Sequence, residues 1–282
     1  MMKPLKPKSK RFLITGINGL LGWNLFQEAK QKHDVKATYW KNHKKLEGDH
    51  LFRIDPNALH EFSDYAARTN PDYFIHAWSM CDLDVCEMVP EAAYAINIEG
   101  TKQMIRAARR IRDLKKFVYI STDHVFNGDR GFYVESDMPR PKHIYGRSKR
   151  LAEILIENSG LPYLIIRPAL VIGKSLQGNI GPRDFLLSRV KKKLPFHLFT
   201  DELRTPIRAE SFTKKVIEAV LSEKRGVLHV TGTEVMSRFQ IATNLAKEHG
   251  YSTENLFPRL RKEDRWAHIR PHHLTLASNY ST

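Results

Sequence analysis

Tyr145 and Lys149 stand four apart in HIYGRSKRLAE (143–153), and a phenol beside an ammonium is a proton-handling pair. On a helix, residues at this spacing share a face, with Cβ atoms about 5–6 Å apart. An ammonium there stabilises a tyrosinate and is expected to lower the phenol pKa from about 10, toward the pH at which an acid works best. In a lysine-rich chain with 10 tyrosines the spacing also arises by chance, as one aromatic and one lysine on a solvated helix. Two further polar residues precede the pair: Asn97 in NIEG (97–100), and Thr122 in YISTDHVFNG (119–128), just after a run that reads as a strand.

Near the N-terminus, FLITGINGLLGW places Gly16, Gly19 and Gly22 at three-residue spacing, directly after a strand-like run and opening a helical one. Such a turn lets backbone approach a pyrophosphate whose charge rests on the helix N-terminus, and Gly22 would pack the helix closely on the sheet. The alternative is a tight turn that holds no ligand. A carboxylate ending the second strand would hold ribose hydroxyls and repel a 2′-phosphate. Here DVKATYW runs into KNHKK with no acid before Glu47, leaving Lys41, Lys44 and Lys45 as cations. NADP is therefore expected over NAD. Asp55, after the third strand, suits the adenine amino group.

Positioning these residues requires alternating elements. Runs at 11–15, 34–40, 51–54, 72–78, 116–121 and 163–168 are β-branched or aromatic and mostly apolar on both faces, as in a sheet covered by helices. Helical stretches at 20–32, 57–68, 90–110 and 146–159 separate them. This alternation predicts an α/β fold, a doubly wound parallel Rossmann sheet with right-handed crossovers. Residues 1–173 form the expected dinucleotide-binding domain, rejoined by about 205–231. After Gly173 the rhythm changes, and 174–204 with 232–282 are expected to form a small C-terminal substrate-binding lobe. A helix near 209–223, the strand GVLHV and a helix near 237–249 fall in this last third.

Composition narrows the class. The chain of 282 residues is 41% hydrophobic and 27% charged, as in a globular protein, and no apolar run is long enough to cross a bilayer. The basic MMKPLKPKSKR segment lacks a secretion signal's apolar core, so a cytoplasmic location is expected. Net charge is +15, but the bases are scattered and no zinc finger or RNP motif organises them. A phosphorylated small ligand fits this charge better than specific nucleic-acid binding. Cys81 and Cys86 are too few for a disulfide framework, and no metal site is expected. VIGKS (171–175) departs from a P-loop because Pro168 stands where that loop needs glycine.

Taken in order, the glycine loop, Asn97, Thr122, Tyr145, Lys149 and IIRP resemble the extended short-chain dehydrogenase/reductases, and most closely the dTDP-4-dehydrorhamnose reductase branch. TGINGLLG, DVCEMVPEAAYAINIEG, STDHVFNG and YGRSK carry the likeness, which loosens beyond residue 173. The resemblance implies that Tyr145 protonates a substrate carbonyl as hydride arrives from the nicotinamide. Lys149 would hold the nicotinamide ribose and bias Tyr145, Thr122 would donate to the same carbonyl, and Asn97 would support proton relay. It places Gly16, Asn18, Gly19, Leu20, Gly22, Lys41, Asp55, Ala77, Trp78, Lys149 and Arg167 at the cofactor. Cys81, Val125, Phe126 and Arg204 fall on the substrate side, with Arg208 a second candidate grip for a diphosphate. The implied partner is a sugar nucleotide, and a homodimer is the implied assembly.

Four departures reshape the substrate half. Trp78 stands where the branch has a small residue, Cys81 replaces a hydroxyl residue, His124 replaces a tyrosine, and Leu170 replaces an aromatic. Trp78 is thus expected to crowd the pocket. An NADP-dependent keto-sugar reductase is the leading reading. Others are a sugar-nucleotide epimerase or dehydratase, and a cofactor-binding regulatory subunit like that of methionine adenosyltransferase.

Overall fold

Residues 9–41, 46–55 and 58–279 are described by a computed structural model. Within it the apolar runs become β1 (Arg11–Thr15), β2 (Asp34–Tyr39), β3 (Leu51–Arg53), β4 (Tyr73–His76), β5 (Lys116–Ile120) and β6 (Tyr163–Pro168). A seventh strand, Gly226–Val230, pairs with β6. All seven are parallel, and β1 lies between β2 and β4, with β3 and Gly226–Val230 at the two edges. The order reverses at β1, which opens a crevice at the carboxyl ends of β1 and β4, where open α/β sheets bind ligands.

Both faces of the sheet are covered, which is why its inner strands read as continuous apolar runs. Helix α1 (Leu20–Ala29) and the helix Ala209–Leu221 pack Leu25, Phe26, Phe212 and Val216 on one face. On the other, α2 (Leu59–Thr69), the helix Gly100–Ala108 and the helix Ile144–Glu157 bury Phe62, Met104 and Ala152. The buried Lys116 of β5 finds its partners in helix-end carbonyls, donating to Ala219, Val220 and Ser222 at 3.2, 3.0 and 2.7 Å. A cation is favoured at that negative end of a helix dipole.

The helix expected over 90–110 is interrupted. It consists of Pro90–Tyr94, a π-helical turn over Ala95–Glu99 and the helix Gly100–Ala108, preceded by a separate helix Leu83–Met88. Asp82 caps that first piece by accepting from the Val85 amide at 3.0 Å. The strand expected over 72–78 stops at His76, so Ala77 and Trp78 lie beyond the sheet.

Beyond Gly173 the chain builds smaller pieces. Leu203–Arg204 is flanked by Met236–Ser237 and His273–Leu274, and Phe196–Phe199 pairs with Leu256–Arg259. Leu186, Val190, Leu198, Ile241, Leu245 and Leu256 share a separate core there. Ser237 and Gln240 close a reciprocal capping box at the start of the helix Arg238–Glu248.

Two features fix the sheet's upper end. Gly16 has φ +81, and a Cβ on it would stand 2.8 Å from the backbone N and Cα of Trp78. At Gly22 a Cβ would meet the Gly16 carbonyl oxygen at 2.3 Å. Lower down, Glu153 of the helix Ile144–Glu157 accepts a two-pronged pair from Arg167 of β6, both bonds 2.9 Å, with Ser121 at 2.6 Å and Arg150 at 3.0 Å. Burial alone would raise the Glu153 pKa, but these donors, Arg167 first, hold it below its usual value.

Gly16→Ala is expected to introduce about 1–3 kcal/mol of backbone strain, read as a lower melting temperature. Glu153→Ala leaves Arg167 buried and unpaired, a loss of about 3–5 kcal/mol by urea unfolding. Because the folded pKa of Glu153 is lowered, its contribution is present above the usual value of 4.5 and is lost as pH falls through the folded value. The gap between wild type and Glu153→Ala should therefore close in acid.

Candidate active site

The helix Ile144–Glu157 buries Tyr145, Ser148, Lys149, Ala152, Glu153 and Ile156, one stripe at helical spacing. Its inner end lies against the turn after β5, which carries Thr122. Tyr145 packs with Cys86 and Ala93, and the Thr122 side chain is near enough to its phenol to favour the ionised form. The two side chains singled out from the sequence thus converge. The expected lowering of the phenol pKa does not occur. Burial drives it well above the usual 10, Cys81 and Asp123 push the same way, and Thr122 only partly offsets them.

Lys149 is 1% exposed, donates to the Ile120 carbonyl at 2.8 Å and sits 4.1 Å from the centre of the Tyr119 ring. Burial pulls its pKa down to about 7, against the opposing pull of Cys81 and Glu153. Its charge is desolvated and already engaged, which accounts for its failure to acidify the phenol.

Asn97 lies inside the π-helical turn, a device that inserts an extra residue and re-aims side chains, frequently at functional sites. Its Oδ1 accepts from the Met80 amide at 2.8 Å, and its Nδ2 donates to the Met80 carbonyl and to Ser148 Oγ, both at 2.9 Å. It thereby ties the segment before Cys81 to the helix of Tyr145. Behind it runs a buried chain that sequence reasoning missed. Thr101 donates to the Asn97 carbonyl at 2.7 Å, so it must accept from His76 Nε2 at 3.2 Å, and His76 Nδ1 then accepts from Thr15 at 2.9 Å. Burial lowers the His76 pKa to about 3, and the imidazole stays neutral. A histidine ending the apolar run DYFIH was the available signal.

The glycine turn faces this cluster across the carboxyl ends of β1 and β4. Gly19 is the N-cap of α1 and no side chain caps it, so the first N–H groups are available to an anion. Asn18 braces the turn against the end of β2, accepting from Trp40 at 2.7 Å and Lys41 at 3.2 Å and donating to the Lys41 carbonyl at 2.9 Å. Lys41 and Asp55 are exposed, past β2 and β3; Lys44 and Lys45 lie outside the described residues. Leu20 points toward the glycines 173 and 181. The backbone of Ala77 and Trp78 stands directly against Gly16. The Trp78 ring turns inward, 3.5 Å from where a Gly100 Cβ would stand, and packs with the helix-side core.

The substrate-side candidates divide. Cys81 reaches solvent near Lys149 and Tyr145. Val125 and Phe126 are 0% and 1% exposed, and the Phe126 ring stacks on Tyr133 at 4.4 Å; they are core. Arg167 is buried and paired with Glu153. Arg204 is buried, with its guanidinium on Glu202 at 2.8 Å and 3.9 Å from Asp123 Oδ2. That oxygen has no hydrogen-bond partner among the described residues, while Asp123 Oδ1 accepts from Thr122 at 3.1 Å. Arg208 is exposed and paired with Glu248. Leu170 packs against the smaller core. Among the described residues no His, Cys, Asp or Glu cluster could hold a metal ion, and no helix is long and apolar enough to cross a membrane.

Comparison with known proteins agrees with this geometry. The spore coat polysaccharide biosynthesis protein SpsK of Bacillus subtilis is 31% identical over 248 residues, 86% of this chain and 81% of that one. Methionine adenosyltransferase 2 subunit beta of Bos taurus is 25% identical over 265 residues, 89% of this chain and 75% of that one. The crystal structure of dTDP-4-dehydrorhamnose reductase from Bacillus anthracis in complex with NADP superposes with TM-score 0.83 at 26% identity, covering 96% of this chain and 92% of that one. The family model described as the RmlD substrate binding domain matches residues 10–281. The chain belongs to that family, which is of the extended short-chain dehydrogenase/reductase type.

Proposed function

We propose that this protein reduces the ketone of a nucleotide-linked keto-sugar, a 4-keto-6-deoxyhexose of the dTDP-4-dehydrorhamnose kind, using NADPH. One observation carries the reading: Tyr145 and Lys149 are buried on one face of a helix packed against the turn of Thr122, with a glycine turn that a single Cβ would fill at the end of β1. Bound reduced nicotinamide supplies the hydride. As charge develops on the carbonyl oxygen, Tyr145 gives up its proton to it and Thr122 donates a hydrogen bond. A phenol with a raised pKa is well matched to this direction, because an alkoxide is a still stronger base. Lys149 holds the nicotinamide ribose, and Asn97 keeps the floor of the site in register.

Three supports are independent of the Tyr–Lys pair. Gly16 and the uncapped start of α1 suit a pyrophosphate. Lys41, with no acid between it and β2, suits a 2′-phosphate, favouring NADP over NAD. The sugar-biosynthesis names of the relatives point to an activated sugar. The likeness to methionine adenosyltransferase 2 subunit beta keeps a regulatory role as the rival outcome: tight NADPH binding with no turnover.

Purified protein with NADPH and a panel of dTDP-linked 4-keto sugars should oxidise the cofactor. Tyr145→Phe should lower turnover by about 10²–10⁴-fold while NADPH still binds; unchanged turnover would remove the assignment. Lys41→Glu should move the preference toward NADH. If the Lys149 ammonium is needed, kcat/KM should fall as pH rises through about 7, where the free-enzyme lysine loses its proton, and Lys149→Arg should flatten that limb.

A further inference from the structure

The catalytic helix has an unusual N-cap. His143 Nδ1 accepts from the Gly146 amide at 3.0 Å, the position normally filled by Ser, Thr, Asp or Asn. Since Nδ1 accepts, a neutral His143 carries its proton on Nε2, and that nitrogen lies 2.8 Å from His124 Nδ1. His124 must therefore accept there and carry its own proton on Nε2, because these two bonds are shorter than the contact of that nitrogen with Arg204 Nη2 at 3.5 Å; Asp123 Oδ1 lies 4.0 Å from it on the other side. The two rings are edge-on at 4.8 Å, and the His143 ring lies parallel to Tyr145 at 6.1 Å. The backbones are equally close: a Cβ at Gly146 would stand 2.2 Å from the His124 carbonyl oxygen. His124 belongs to the same short turn as Thr122, and His143 immediately precedes the helix of Tyr145 and Lys149.

We propose that His143 and His124 are positioning residues, a strut of two neutral imidazoles that fixes the first helical turn bearing Tyr145 against the turn bearing Thr122. The strut sets the separation of the two hydroxyls that must reach one carbonyl oxygen. It works only while each ring holds a single proton, because a doubly protonated ring presents two donors and breaks the chain. The surroundings keep both rings neutral. Burial comes first, and cations face them from several elements: Arg204, Arg238 and Arg270 at His124, and Arg204, Arg270 and Arg147 at His143. Asp123 is the nearest opposing carboxylate, and Glu87 accepts from the Ile144 amide rather than from either ring. The His143 pKa is pushed down to about 3 and that of His124 well below its usual 6.5.

The kinetic arm rests on the reductase reading; the spectroscopic arm does not. In nitrogen-15 NMR of the wild type, assigned with His124→Asn and His143→Asn, both rings should show the Nε2–H form from pH 6 to 8. An Nδ1–H form, or titration of either ring within that window, would overturn the strut. His143→Ala should lower kcat about tenfold to a hundredfold with the KM for NADPH unchanged, and His143→Asn, which restores a cap, should recover most of the loss. Equal kcat in wild type and His143→Ala would refute the positioning role. If no keto-sugar is turned over, the reductase reading fails separately. Amide exchange then decides: His143→Ala must speed exchange at Gly146 and His143→Asn must not, and equal protection in all three proteins would sink the proposal.

Discussion

Burial of a charged stripe on the helix Ile144–Glu157 is the constraint on which the rest depends. Tyr145, Lys149 and Glu153 lie four apart on the face that must pack against the sheet, so a phenol, an ammonium and a carboxylate leave water together. Each needs a specific neighbour in place of solvent. Thr122 meets the phenol, the Ile120 carbonyl and the Tyr119 ring meet Lys149, and Arg167 and Ser121 meet Glu153. These partners sit at the carboxyl ends of β5 and β6 or just beyond. The sheet therefore fixes the chemistry by fixing where the helix can satisfy its own polar groups.

The same logic explains the interrupted helix. A regular helix through residue 97 would aim its side chains one way only, and the π-helical turn adds the residue that lets Asn97 reach Met80 and Ser148 together. Thr101 and His76 then tie this turn to Thr15, the last residue before the glycine loop. The proton-handling cluster and the dinucleotide turn are thus joined by buried hydrogen bonds as well as by packing. Such networks are costly when partly satisfied, and so they hold one arrangement.

On the substrate side the balance differs. Phe126 and Val125 serve the core, and Trp78 folds back over Gly100. Polar groups remain at the site: Asp123, with one oxygen lacking a hydrogen-bond partner among the described residues, Arg204 held by Glu202, and the thiol of Cys81 at the surface. Departures from the rhamnose-reductase pattern at His124 and Trp78 are accommodated by new local packing and leave the convergence of Tyr145 and Thr122 intact.

Periodicity and glycine spacing were enough to determine the parallel doubly wound sheet and the tight glycine turn after its first strand, whereas the Tyr145, Lys149, Thr122 set was implied by the resemblance its motifs carry. The sheet and the turn depend on local rules: side-chain period and turn stereochemistry. What only the tertiary structure decided are properties of surroundings. The phenol pKa rises because burial outweighs a lysine that is itself desolvated, and no spacing rule contains that competition. Phe126, Arg167 and Trp78 pack against Tyr133, Glu153 and Gly100, partners that no local spacing rule assigns to them. Nor could the tautomers of His76, His124 and His143 be read from their letters, since each is set by which neighbour donates and which accepts.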